Sequence, residues 1–298
     1  MAKKWRDPDK VCWDEPDGFF TILNCTLPSK KLILQVNEIV RALMISCSEN
    51  STLVCNELEE VKRFSKKYKD TGSTKETFNS ISIDTCNISN ESLSCLLGVM
   101  GVNGTDQVKL QRVTGTLEPV HLEGLEGVTH LEMYDVDKSL TSVPYNALSL
   151  LSNLEIFSMK KAFIELTSES NYVLSKLTIV TLDECRIKSV PKGAFKATPE
   201  ITHLSLRRNT MESIEVDAFE GLTELVWLDL NENLLTHLPE GVFRHIPNII
   251  EIDLKMNKLL NLSDDLFTGL NKLKERLIPM CNQAHSNISQ RNTEIPLF

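Results

Sequence analysis

Cysteine and histidine are the residue types in this chain whose chemistry could go beyond packing, and their spacing assigns them different work. Six of the eight cysteines, Cys12, Cys25, Cys47, Cys55, Cys86 and Cys95, crowd into the first third of the sequence. An even set in a loop-rich stretch points to an oxidised, disulfide-stapled region. Among the possible pairings, Cys12 with Cys25, Cys47 with Cys86 and Cys55 with Cys95 are preferred. Cys185 and Cys281 stand apart and read as free, buried thiols. The histidines (His121, His130, His203, His237, His245 and His285) show no paired metal spacing and no adjoining cluster of zinc-ligand type. There is no Gly-rich phosphate loop and no Gly-x-Ser-x-Gly elbow. The expectation is a protein without catalysis, cofactor or metal.

A second kind of chemistry, backbone hydrogen bonding, belongs to Asn209, Asn233 and Asn257, which recur at 24-residue steps with Cys185 one step earlier. They occupy the ninth place of a pattern that starts at Leu154, Leu177, Ile201, Leu225, Ile249 and Leu273. Aliphatic residues stand at places one, four, six and eleven, as in Leu225, Leu228, Leu230, Asn233 and Leu235. This is the leucine-rich repeat signature. It implies an α/β solenoid: a curved parallel sheet on the concave face, an irregular or short-helical convex side, and a disulfide-stapled N-terminal cap. Places four and six point into the core, while five, seven and eight point outward. Place nine turns inward, where an amide supplies both a donor and an acceptor to buried backbone groups. In the returning half, Phe195, Phe219, Phe243 and Phe267 should stack behind the strands. One coil cannot stand alone, so neighbours must share its burial.

The phase continues towards the N-terminus through Val128, Leu131 and Met133, and before that through Val108 and Leu110. Val136 and Ala162 replace the ladder amide, so looser turns or water-completed hydrogen bonds are expected there. Arg276 stands where an aliphatic residue belongs, and the polar stretch from Gln283 to Phe298 lacks periodicity. The organisation is therefore a cysteine-rich cap over 1–104, repeats over 105–282 and a tail over 283–298. The open end suggests a truncated product, alternative transcript or fragment. Within the cap, Ser80 to Asp84 reads as a first edge strand leading to Cys86. Residues 56–80 form a polar insertion whose basic run (Lys62, Arg63, Lys66, Lys67 and Lys69) reads as a solvated loop.

Composition constrains location and partners. A formal charge of −9 argues against nucleic acid as the main partner. No segment has the length of apolar sequence needed to span a bilayer, and Met1 to Lys10 lacks a signal-peptide core. Sequons at Asn24, Asn50, Asn87, Asn90, Asn103, Asn261 and Asn287 nonetheless favour a secretory history, so a leader absent from this sequence is expected.

Cys12, the Cys25-Thr-Leu-Pro segment, the apolar run Leu32–Ile45 into Cys47, Ile-Asp-Thr-Cys86 and Leu96-Leu-Gly-Val-Met-Gly together resemble the N-terminal region of insect Toll receptors. Ser189-Val-Pro-Lys-Gly-Ala-Phe195 and His237-Leu-Pro-Glu-Gly-Val-Phe243 look like Toll ectodomain repeats. The resemblance implies a single-pass receptor of innate immunity whose ectodomain binds a Spätzle-type cystine-knot cytokine and dimerises. This chain would act on the extracellular side of the plasma membrane, anchored only through a parent segment absent here. The other reading is a secreted leucine-rich repeat protein, either a soluble decoy or of extracellular-matrix type.

The repeat phase itself locates a contact surface. The outward strand residues are Glu132, Tyr134 and Asp135; Lys160 and Lys161; Asp183 and Glu184; Arg207 and Arg208; Asn231 and Glu232. Their alternating signs predict that Lys160 and Lys161 pair with Asp183 and Glu184, which pair in turn with Arg207 and Arg208. Tyr134 is the aromatic anchor.

Overall fold

The computed structural model describes residues 12–17, 20–27, 30–37, 41–48, 52–53, 78–88, 93–99, 102, 104–168 and 171–277. Cys55, Cys281, the basic run from Lys62 to Lys69, the tail from Gln283 and the sequons at Asn50, Asn90, Asn103 and Asn287 lie outside them. So does His285.

One sheet of 13 strands runs through all the described parts. Its first four strands are β1 (Cys12–Asp17), β2 (Phe20–Leu27), β3 (Lys30–Asn37) and β4 (Ala42–Cys47). They form an antiparallel meander. After the two-residue strand β5 (Thr52–Leu53) the direction changes. From β6 (Phe78–Asp84) onward every pairing is parallel, starting with β4 against β6. Short connections allow antiparallel neighbours, whereas a parallel neighbour requires a full crossover, which each repeat supplies. After β7 (Asn87–Ile88) come β8 (Thr105–Gln111), β9 (His130–Tyr134), β10 (Ile156–Lys160) and β11 (Ile179–Asp183). The two-residue strands β12 (Ser189–Val190) and β14 (Ser213–Ile214) pair with each other, outside the main sheet. The sheet continues through β13 (His203–Ser205), β15 (Trp227–Asp229), β16 (Glu251–Asp253) and β17 (Glu275–Leu277). Short helices at Leu93–Val99, Pro119–Leu122 and Tyr145–Leu148, and a 3-10 turn at Asp264–Phe267, occupy the returning halves of their coils.

The described part of the cap is built of strands, with β1–β4 meeting one another's backbone groups. One expectation needs correction: the strand around Ser80 is not an edge, since β6 has β4 on one side and β8 on the other. Among the described strands the sheet begins at β1 and ends at β17. Phe78, Ile81, Ile83 and Cys86 stand in the repeat phase, with Ile81, Ile83 and Cys86 buried. Cys86, at place nine, is bonded to Cys47 with the two Cα atoms 5.0 Å apart. The β1–β2 register sets Cys12 opposite Cys25, and Cys95 is also in a disulfide.

The ladder and the spine explain why the repeats stack. The Asn209 amide donates to the Leu182 and Leu206 carbonyls at 2.7 and 2.9 Å, and its oxygen accepts from Cys185 N–H at 2.8 Å. It also accepts from Ile187 N–H at 3.2 Å. Asn233 and Asn257 repeat the two carbonyl contacts one and two coils on, and their oxygens accept from the equivalents of Ile187 N–H, those of Met211 and Leu235. The buried Cys185 thiol is free and donates to the Met159 carbonyl at 3.3 Å, and burial pushes its pKa up to about 12. The rings of Phe195, Phe219, Phe243 and Phe267 stack in sequence, with centroids 6.4, 6.2 and 5.8 Å apart.

Place eight is left-handed in every described coil: Thr85, Arg112, Asp135, Lys161, Glu184, Arg208, Glu232 and Met256 have φ between 48° and 59°. From Thr85 to Glu232, its N–H donates to the carbonyl at place seven of the next coil. The early turns before Val136 and Ala162 are therefore no looser than the later ones. At φ 52° and 54° they keep the same backbone without the amide.

Candidate functional site

Because alternate strand residues share a face, places three, five and seven line one wall, with place eight beside them. Glu132 is held by Lys109 at 3.1 Å. Tyr134 lies beneath Lys161, whose Nζ is 5.0 Å from the ring centroid. A hydrogen bond with the Tyr134 side chain, then the charges of Tyr134, Glu184 and Asp135, raise the lysine pKa above its ordinary value. Asp135, exposed, occupies the left-handed turn beside it.

The predicted charge ladder forms only in part. Among the described residues, neither Lys160 nor Lys161 makes an ion pair with Asp183 or Glu184. Asp183 faces the next coil instead, accepting from the Ser205 hydroxyl at 2.6 Å and from Arg207 N–H at 3.1 Å. Glu184 reaches Arg208 at 3.9 Å. The strong clamp lies one coil further on, where Glu232 binds Arg207 and Arg208 together. Arg207 first and Arg208 second hold the Glu232 carboxyl below its ordinary range. Asn231 donates its side chain to Asp253 at 3.3 Å, and its Oδ1 is buried with no hydrogen-bond partner among the described residues. Asp229 is buried, and desolvation raises its pKa despite the hydrogen bond from Asn231 N–H.

The outward set at places five, seven and eight leaves out place three, which belongs to the same wall. Registers bring His130, Ile156, Ile179, His203 and Trp227 side by side in one row, followed by Glu251. None of the five is buried. Extending the period of two backwards from place five would have found them. The Thr129 and Thr202 hydroxyls each lie within hydrogen-bond reach of a carbonyl of the previous coil and of Nδ1 of the histidine that follows, 2.7 Å away for His130 and 2.9 Å for His203.

The other histidines have local partners. Buried His121 accepts from Glu118 N–H at 2.8 Å. His237 lies 3.2 Å from the Thr236 hydroxyl. His245 meets Asp217 at 2.9 Å, in a cluster where Lys192 and Arg244 bind the same carboxylate. The hydrogen bond to His245, then those to Lys192 and Arg244, lower the Asp217 pKa to about 2. Of the sequons, Asn24 falls in β2, Asn87 in β7, and Asn261 is exposed.

A leucine-rich repeat family profile matches residues 175–235 and 223–275. The fold is a leucine-rich repeat solenoid. The chain superposes on a chain of the Drosophila Toll–Spätzle complex with a TM-score of 0.68 at 18% identity, over 90% of this chain and 34% of that one. The glycosylated form of that complex gives 0.64 with the same identity and coverage. A chain of the TLR13–ssRNA13 complex gives 0.51 at 18% identity, over 78% of this chain and 39% of that one. This solenoid thus spans about a third of the length of the Toll-complex chains it matches. No curated protein sequence matches it. Among the described residues, no helix is long and apolar enough to cross a membrane.

Proposed function

We propose that this chain is the N-terminal part of a Toll-type receptor ectodomain and holds a Spätzle-like cystine-knot cytokine against its concave wall. It would work on the extracellular side of the plasma membrane, in innate immune signalling. The supporting observation is the extent of the likeness to the Toll–Spätzle complex, which takes in 90% of this chain and so reaches beyond the regular repeats. On the wall itself, Lys160 and Lys161 make no ion pair among the described residues, and Tyr134 offers an aromatic surface beside them. Cations without an ion-pair partner in the chain are left to pair with carboxylates of a ligand and to steer its approach. The clamp on Arg207 and Arg208 makes those two residues part of the frame.

The test is retention of a Spätzle-type cytokine by the oxidised, glycosylated chain at low and moderate salt. Saturable binding is expected, weakened at least tenfold by Lys160→Gln together with Lys161→Gln, and more weakly held at the higher salt. Absence of binding by an oxidised preparation refutes the reading.

A further inference from the structure

The place-three row has features that the charged rows do not. Ile156, Ile179, His203 and Trp227 are consecutive neighbours in the register and all are at least partly exposed. Adjacent strands lie about 4.8 Å apart, so the four span roughly 15 Å, the reach of an extended segment of four or five residues. The imidazole of His203 and the indole of Trp227 lie 6.2 Å apart and tilted by 38°, continuing the aliphatic pair as an aromatic end.

Carboxylates outnumber cations around this strip. Along its outer edge, Glu155, Glu200 and Glu224 are exposed, and Glu251 follows Trp227 in the row itself. None of the four makes an ion pair among the described residues. Among the described residues, the cation on that edge between Ile156 and Trp227 is Lys176, which donates to Asn153 at 2.6 Å, and beyond Glu251 the edge continues with exposed Lys272 and Lys274. On the inner side, place five presents Ser158, Thr181, Ser205 and Asp229, without a cation. An indole bordered by carboxylates attracts a lysine or arginine through its surroundings. The sequence also has no glycosylation sequon between Asn103 and Asn261, so no N-linked sugar attached to these coils competes for the wall.

We infer that the row Ile156–Ile179–His203–Trp227 is a docking strip for an extended protein segment that alternates apolar and basic side chains, its apolar side turned to the row and its basic side to the glutamates along the edge, Glu224 and Glu251 beside Trp227 among them. This deepens the reading of the concave wall as a ligand-binding face and rests on it. It assigns the contact to a row distinct from Lys160 and Lys161. The apolar side chains of the segment would lie on the two isoleucines, and its basic ones would meet the outer glutamates.

The probe is a synthetic octapeptide of alternating lysine and leucine, with its glutamate–leucine counterpart as the charge-reversed control. Each is titrated against the full oxidised chain. The lysine peptide should bind and the glutamate peptide should not. Trp227→Ala should weaken binding at least tenfold, as should Glu224→Lys with Glu251→Lys, two surface changes remote from the core. Lys160→Gln with Lys161→Gln should leave it within twofold. Absence of lysine-peptide binding, equal binding of the two peptides, or indifference to Trp227→Ala overturns the inference. A cytokine that binds wild type and Trp227→Ala alike but loses affinity with the lysine variants would sink this strip and keep the proposed function. Peptide docking on Trp227 without cytokine binding would do the reverse.

Discussion

The cap and the later repeats belong to one sheet but are secured by different means. In the cap, the meander β1–β4 joins the parallel strands through β4 and β6, and the Cys47–Cys86 bond ties those two strands at their ends. From Cys185 onward the coils are joined by a repeating amide ladder and a stack of phenylalanines, with no covalent link among the described residues. Repetition allows each coil to stabilise the next, so the array depends on continuity. The cap has repeat neighbours on one side only, and there oxidation does the work that stacking does elsewhere.

That contrast predicts different responses to damage. The largest effect is expected from Cys47→Ser. Losing a cross-link that spans 39 residues should cost about 4 kcal/mol. Under reducing conditions the cap should melt before the repeats, seen as two transitions by hydrogen exchange. A single concerted loss of protection would show that cap and repeats are one cooperative unit.

Next comes Asn233→Ala, which strands the Leu206 and Leu230 carbonyls and the Met211 N–H in the core and should cost about 3 kcal/mol. Val136→Ala, at the same place in an early coil where no side-chain amide exists, should cost only about 1 kcal/mol. Equal losses in denaturant titrations would erase the distinction between ladder and pre-ladder coils.

The smallest effect concerns Asp229. Burial raises its folded pKa above the unfolded value, so the native state takes up a proton more readily than the unfolded chain. Its contribution to stability is therefore fully present below the unfolded carboxylate pKa and is lost as pH rises through the folded value. Relative to Asp229→Asn, wild type should be less stable at neutral pH and should close the gap on acidification. Melting curves of the two proteins at several pH values measure it. An unchanging gap would show that the Asp229 charge is fully compensated.

Residues that recur with a fixed step made much of the fold legible. The buried leucines, the phenylalanine stack and Asn209, Asn233 and Asn257 each signal themselves by type and interval. The meander was not legible, because alternation in residues 12–37 suggests strands but does not say which pair. The Glu232 clamp was hidden for a different reason. Arg207 and Arg208 have carboxylates on the coil before and on the coil after, and alternating signs do not say which neighbour takes them. The place-three row required only a consistent use of the two-residue period, and its apolar members resemble core residues when read as letters.

The left-handed residue at place eight sets durability against recognition. Holding a side chain in that conformation costs on the order of 1 kcal/mol per coil, which glycine would avoid while keeping the N–H that joins the next coil. Eight coils nevertheless present threonine, arginine, aspartate, lysine, glutamate or methionine there. A version with glycine at all eight places would be hardier and featureless along that line of the wall. Reassigning those places to other side chains would redraw the surface while the interior stays the same, which makes the solenoid a scaffold whose specificity can be edited one coil at a time.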